Sequence, residues 1–153
     1  MRKRLIIYSI ATVFSLFGCF MLVDSAYADT EVGGLISSDT IWVKGNSPYI
    51  IKSDIGVERG VTLTIDPGVK IVFNNGTALR IAGSLQAIGT SEEQILFTGP
   101  GEWEGIIFLG PAENADINMV SSIKYSTIER MRLGIKGGFQ SLLISNNIIR
   151  DSS

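Results

Sequence analysis

The sequence predicts an all-β fold: a right-handed parallel β-helix, or solenoid, with an N-terminal cap and a leading signal-peptide helix. Three observations predict it. Apolar and polar residues alternate with period two, short turn-forming separators divide the alternating runs, and the later chain repeats at a fixed offset.

The leader comes first. Arg2-Lys3-Arg4 precede an uncharged stretch from Leu5 to Val23, and Ala26-Tyr27-Ala28 stands just before Asp29. A positive start, an apolar middle and a small-x-small site are the order of a secretory signal peptide, with cleavage expected between Ala28 and Asp29. Two rival readings share the segment. The 19 apolar residues are long enough for a retained membrane anchor. Leu16-Phe17-Gly18-Cys19 resembles a lipoprotein box, although Phe17 fits it poorly and the chain stays apolar beyond Cys19. Every reading exports the chain to the periplasm, the cell surface or the medium.

Beyond residue 28 the runs are strand-like. Val61-Thr62-Leu63-Thr64-Ile65 alternates, as does Val69-Lys70-Ile71-Val72-Phe73. Leu79 and Ile81, Leu85 and Ala87, Ile95 and Phe97, and Ile106 and Phe108 continue the pattern. Alternation with β-branched enrichment marks half-buried strands. The separators Asp66-Pro67-Gly68, Asn74-Asn75-Gly76, Ala82-Gly83-Ser84 and Gly89-Thr90-Ser91 supply turn chemistry.

Topology rests on the repeat. Residues 122–130 align with residues 142–150 at an offset of 20, setting Ile123 on Leu143, Ser126 on Asn146, Ile128 on Ile148 and Arg130 on Arg150. A period near that length, built of short strands and tight corners, is a solenoid signature. Leucine-rich repeats share the period, but their recurrent Leu frame is absent. Residues 29–60 lack the later spacing and read as the N-terminal cap and first coil, because a solenoid end exposes core and unpaired strand edge. Residues 61–153 read as the coils. The chain stops in mid-repeat at Arg150-Asp151-Ser152-Ser153, which reads as a truncated protein or as an open end that self-associates.

A family resemblance joins these observations. Asp39-Thr40-Ile41-Trp42, Ser47-Pro48-Tyr49, Gly60-Val61-Thr62-Leu63-Thr64-Ile65-Asp66-Pro67-Gly68-Val69, Ala82-Gly83-Ser84-Leu85-Gln86-Ala87-Ile88-Gly89-Thr90, Ile95-Leu96-Phe97-Thr98 and Trp103-Glu104-Gly105-Ile106-Ile107-Phe108 follow in order. The set resembles the amino-terminal part of right-handed parallel β-helix proteins of the pectate-lyase-like superfamily. The resemblance implies the fold over nearly all of the exported part. It implies no single activity, since that superfamily holds polysaccharide lyases, glycoside hydrolases, epimerases and surface adhesins.

Composition narrows the chemistry. The chain has no His, and its one Cys is in the leader. The exported part therefore has no imidazole or thiolate with which to build a nucleophile–base pair, a zinc or copper site, or a disulfide. No metal or cofactor is expected, and no P-loop or dinucleotide fingerprint occurs. Without the leader the chain keeps 10 Lys/Arg and 14 Asp/Glu, a net charge of −4. That balance gives no reason to bind nucleic acid or anionic lipid.

No catalytic residue is named from the sequence. Trp42, Trp103 and Tyr125 offer flat faces for sugar rings, against the plainer reading that Trp42 belongs to the cap and Trp103 covers a coil corner. Glu129 and Arg130 stand at a corner equivalent to Arg150 and Asp151 in the next coil, where a surface ion pair is the plainer reading. The carbohydrate-binding candidates are thus Trp103, Tyr125, Glu129, Arg130, Arg150 and Asp151. The expected function is a secreted or cell-surface β-helix with a structural or carbohydrate-binding role. The alternatives are a truncated polysaccharide lyase or glycoside hydrolase, and an adhesin-like interaction protein.

Overall fold

A computed structural model describes residues 29–110, 120–138 and 141–151. The leader, with Cys19 and Ala28, lies outside the described residues, and Asp29 is the first of them. The described regular structure is strand, apart from a 3-10 turn at Lys44–Asn46. All strand pairings are parallel.

The strands build three walls. The first stacks β2 (Thr40–Trp42), β4 (Thr62–Ile65), β7 (Ser84–Ile88), β10 (Val120–Lys124) and β13 (Ser141–Ser145). The other two share the long strands β1 (Thr30–Ile36) and β3 (Tyr49–Val57), whose two halves lie on different walls. From the first half of β3 the second wall continues through β5 (Lys70–Phe73), β8 (Ile95–Thr98), β11 (Ser126–Glu129) and β14 (Ile148–Arg150). From its second half the third wall continues through β6 (Ala78–Ile81), β9 (Gly105–Phe108) and β12 (Ile135–Lys136). Successive strands visit the walls in rotation, so the chain winds as a parallel β-solenoid. The five strands of the first wall are five passes of the coil.

Alternation along each strand becomes columns across the coils. On the first wall Trp42, Ile65, Ala87, Ile123 and Ile144 share one inward column. On the second wall the column is Tyr49, Ile71, Phe97, Ile128 and Ile149. Ile55, Leu79, Ile106 and Ile135 form the third. Leu63, Ile81 and Ile128 are fully buried. Each such side chain removed from water contributes about 1.5–3 kcal/mol, and the parallel ladders satisfy the backbone between coils.

The last repeat differs from the expected one by a residue. Ile123 pairs with Ile144, Ile128 with Ile149 and Glu129 with Arg150, an offset of 21 rather than 20. A one-residue slip exchanges inward and outward faces. Leu143 and Ile148, aligned with the core at the shorter offset, point outward instead. The backbone marks the same register: Tyr125 and Asn146 both have positive φ, as do Arg130 and Asp151. The corner asparagine that bonds across coils is Asn147. Its Oδ1 accepts the Ser126 N–H at 2.8 Å, and its Nδ2 donates to the Ile123 carbonyl at 2.7 Å.

The corners of the second coil share one design. Glu58-Arg59-Gly60-Val61, Asp66-Pro67-Gly68-Val69 and Asn74-Asn75-Gly76-Thr77 each close with an N–H donated three residues back, at 3.2, 3.4 and 3.1 Å. Their third residues have φ of 77°, 75° and 73°, where a type II turn requires glycine. A four-residue turn followed by a four-residue strand makes one side of the coil. The next corner is tighter: a β-carbon on Gly83 would collide with the carbonyl oxygens of Val61 and Glu58. Residues 29–60 join the same walls through β1, β2 and β3.

Candidate functional site

The second wall carries the candidate site on its outer face. Along β8 and β11, Ile95, Phe97, Ser126 and Ile128 are buried, so Leu96, Thr98, Thr127 and Glu129 face outward. Parallel pairing sets Leu96 beside Thr127 and Glu129 beside Arg150. Strand spacing in a ladder is about 4.8 Å, within reach of most polar side chains.

Glu129 is the centre of this strip. Its Oε1 accepts from Thr98 Oγ1 at 2.8 Å, and its Oε2 accepts from Arg150 Nε at 2.9 Å. The Glu129 side chain is 15% exposed, against 59% for Arg150. The Thr98 hydrogen bond draws the carboxyl below its ordinary range. Burial opposes that shift, while the Arg150 bond, the Arg150 charge and the Arg130 charge reinforce it. Glu129 is therefore held as an ionised acceptor. Beside it, Thr127 Oγ1 donates to Gln94 Oε1 at 2.8 Å.

The other candidates divide sharply. Arg130 donates through Nη1 to the Gly99 carbonyl at 3.0 Å and the Pro100 carbonyl at 3.3 Å, pinning a neighbouring corner. Asp151 is exposed at the matching corner, with φ of 53°. Glu129, Arg130, Arg150 and Asp151 thus share one edge of the second wall. Tyr125 is half-buried at the opposite edge, with φ of 49°.

Trp103 corrects the expectation of a sugar platform. Its ring is 0% exposed. It stacks on Phe73 at 4.0 Å between centroids and 8° between planes, and its Nε1 donates to the Glu129 carbonyl at 2.9 Å. A face covered by another ring offers nothing to a ligand. Trp42 is buried too, stacked on Tyr49 at 4.8 Å. Trp103 instead acts from inside, holding the backbone of the residue whose side chain anchors the outer strip.

Thr98 lies 31 residues before Glu129, an interval lengthened mainly by the connection between β9 and β10, so no short repeat in the sequence pairs the two. Four further ion pairs join coils: Lys44–Glu93 at 2.7 Å, Lys52–Glu31 at 3.0 Å, Arg80–Asp54 at 2.9 Å and Arg132–Glu104 at 2.6 Å. Among the described residues no group of three or more His, Cys, Asp or Glu is placed to hold a metal ion.

Comparison with known proteins adds a partial likeness. Half of the chain, 76 residues, is 45% identical to Protein bark beetle of Drosophila melanogaster. The chain spans about 2% of that protein's length. No family model and no solved structure matches the chain.

Proposed function

We propose that the chain is an exported β-solenoid module with a structural role. The observation that carries this reading is where its polar side chains are engaged. Glu129, Asp54, Glu104 and Glu93 each tie one coil to another through Arg150, Arg80, Arg132 and Lys44. Exposed pairs of this kind are screened by water and contribute little to stability. Their value is in holding register along a column, while the core and ladders supply the stability. Export is supported by the basic start, the apolar run and the Ala26-Tyr27-Ala28 site.

Carbohydrate binding is the second reading, favoured by the exposed guanidinium of Arg150 held on Glu129, with the outward polar side chains of Thr98 and Thr127 on the same wall. A polysaccharide lyase or hydrolase has weaker support. A glycosidase general acid needs a raised pKa, and the environment of Glu129 lowers it. The deciding experiment measures urea unfolding and polysaccharide pull-down on the same Glu129→Gln and Thr98→Val variants. The structural role predicts lower unfolding midpoints and unchanged pull-down. Unchanged midpoints with lost pull-down would overturn it in favour of binding.

A further inference from the structure

The corner between β5 and β6 carries a second signal besides its turn. Asn75-Gly76-Thr77 is the chain's single Asn-x-Ser or Asn-x-Thr triplet with a middle residue other than proline. That pattern marks an acceptor for an N-linked glycan where an exported chain sets the asparagine on a surface loop.

The structure supplies that setting. Asn75 is exposed at the tip of the turn Asn74-Asn75-Gly76-Thr77, where the second wall passes to the third. Among the described residues no hydrogen bond engages its side-chain amide. The amide lies against Gly101 in the next coil, where a β-carbon would come within 2.8 Å of Nδ2. Glycine at that position keeps this side of the amide open. The other described asparagines do not meet both conditions. Asn46 precedes Ser47-Pro48, Asn74 precedes Asn75-Gly76, and Asn146 and Asn147 precede isoleucines. Asn147 also commits its amide to the Ile123 carbonyl at 2.7 Å.

We infer that Asn75 carries an N-linked glycan. The donor is a lipid-linked oligosaccharide pyrophosphate. A bond forms from Nδ2 to C1 of the first sugar as the bond from C1 to the pyrophosphate oxygen breaks. The amide gives up one proton, and the lipid pyrophosphate leaves.

Thr77 fixes the order of events. Its Oγ1 donates to the Asn74 carbonyl at 2.7 Å, and the residue is 7% exposed. The hydroxyl that completes the acceptor triplet is therefore hidden once the corner closes. Transfer precedes the folding of this coil, and the folded corner then displays the glycan at its tip. There it lies outside the three inward columns and displaces no core residue. The inference rests on the export half of the proposed function and is independent of whether the outer strip binds a polysaccharide.

The test is intact-mass and peptide mass spectrometry on the protein isolated after export from the cells that make it. One oligosaccharide of added mass is expected, on the tryptic peptide spanning residues 71–80. Enzymatic release of N-linked glycan should remove that mass and leave an aspartate in place of the asparagine. Asn75→Gln should lose the added mass and keep the wild-type thermal midpoint, because the side chain is exposed and unbonded. Thr77→Ser preserves the triplet and should keep the glycan. Added mass retained by Asn75→Gln overturns the inference. So does a chain that begins at Asp29 with Asn75 unmodified, and the export reading then stands alone. An unmodified chain that still begins at Met1 overturns the export reading and this inference together.

Discussion

Trp103→Ala tests whether this ring is core or ligand platform. The side chain is fully buried, stacked on Phe73 and bonded to the Glu129 carbonyl. Truncating a buried Trp costs about 3–5 kcal/mol through lost transfer energy and the cavity left behind. A domain of this size has roughly 5–15 kcal/mol of stability in all. With a urea slope of about 2 kcal/mol per molar, the midpoint should fall by about 2 M. Trp103→Phe keeps a ring on Phe73 and loses the indole donor, so it should cost less: about 1 kcal/mol for the hydrogen bond plus a smaller packing loss. The assay is urea unfolding followed by far-UV circular dichroism on wild type and both variants. Solenoid coils couple mainly to their neighbours, so a broadened transition is also expected for Trp103→Ala. If Trp103→Ala unfolds at the wild-type midpoint, the ring is not core and the account of this corner is wrong.

Two further predictions follow from the corners and the strip. Gly83→Ala places a methyl group against two backbone carbonyls that belong to ladder and turn, and should destabilise by at least about 1–3 kcal/mol; a thermal midpoint within a degree of wild type would contradict the close approach. Glu129 has a lowered folded-state pKa, so its stabilisation is present above the unfolded value near 4.5 and is lost as pH falls through the folded value. Thr98→Val removes the largest cause of the shift and should flatten the pH dependence of stability below that value, while an unchanged acid limb in urea titrations from pH 6 to roughly pH 2 would refute the assignment.

The solenoid was legible because its rule is local. Period-two alternation with turn signals reports which residues face inward, and Val61 to Phe73 shows it without any tertiary knowledge. The regular corners were legible in part: Asp66-Pro67-Gly68 and Asn74-Asn75-Gly76 were read as turns. Their common spacing with Gly60 places a coil wall every eight residues. Contacts between coils were not legible where connections vary in length. Thr98 reaches Glu129 across 31 residues and Lys44 reaches Glu93 across 49, past the intervening Gly68. Nothing in a local pattern reports such intervals. Trp103 was ambiguous on different grounds. A tryptophan beside a corner suits a sugar platform or a plug equally well, and Phe73, thirty positions earlier, decides between them.

The offset of 21 rather than 20 in the last repeat is encoded in the charges of the sequence. Counting apolar matches does not separate the two offsets. Leu142-Leu143-Ile144 and Ile148-Ile149 are runs, so Ile123 and Ile128 find an aliphatic partner at either 20 or 21 residues. Charge separates them. At 20, Arg130 stacks on Arg150, with like charges directly opposed across a ladder, an arrangement that costs energy. At 21, Glu129 stacks on Arg150, and Arg130 falls beside Asp151, so both pairs are of opposite sign. The structure adopts the second register, with the Glu129–Arg150 pair at 2.9 Å. The outward polar column therefore selects between registers that the hydrophobic core tolerates equally, which is the work proposed here for the ion pairs elsewhere along the rod. Replacing Glu129 by Lys should expose that role. It sets like charges in the stack at 21 residues, and amide exchange at Ile128 and Ile149 should then rise more than at Tyr49 and Ile71, which lie two or more coils from Ile128. Uniform protection across all four would mean that apolar packing alone sets the register.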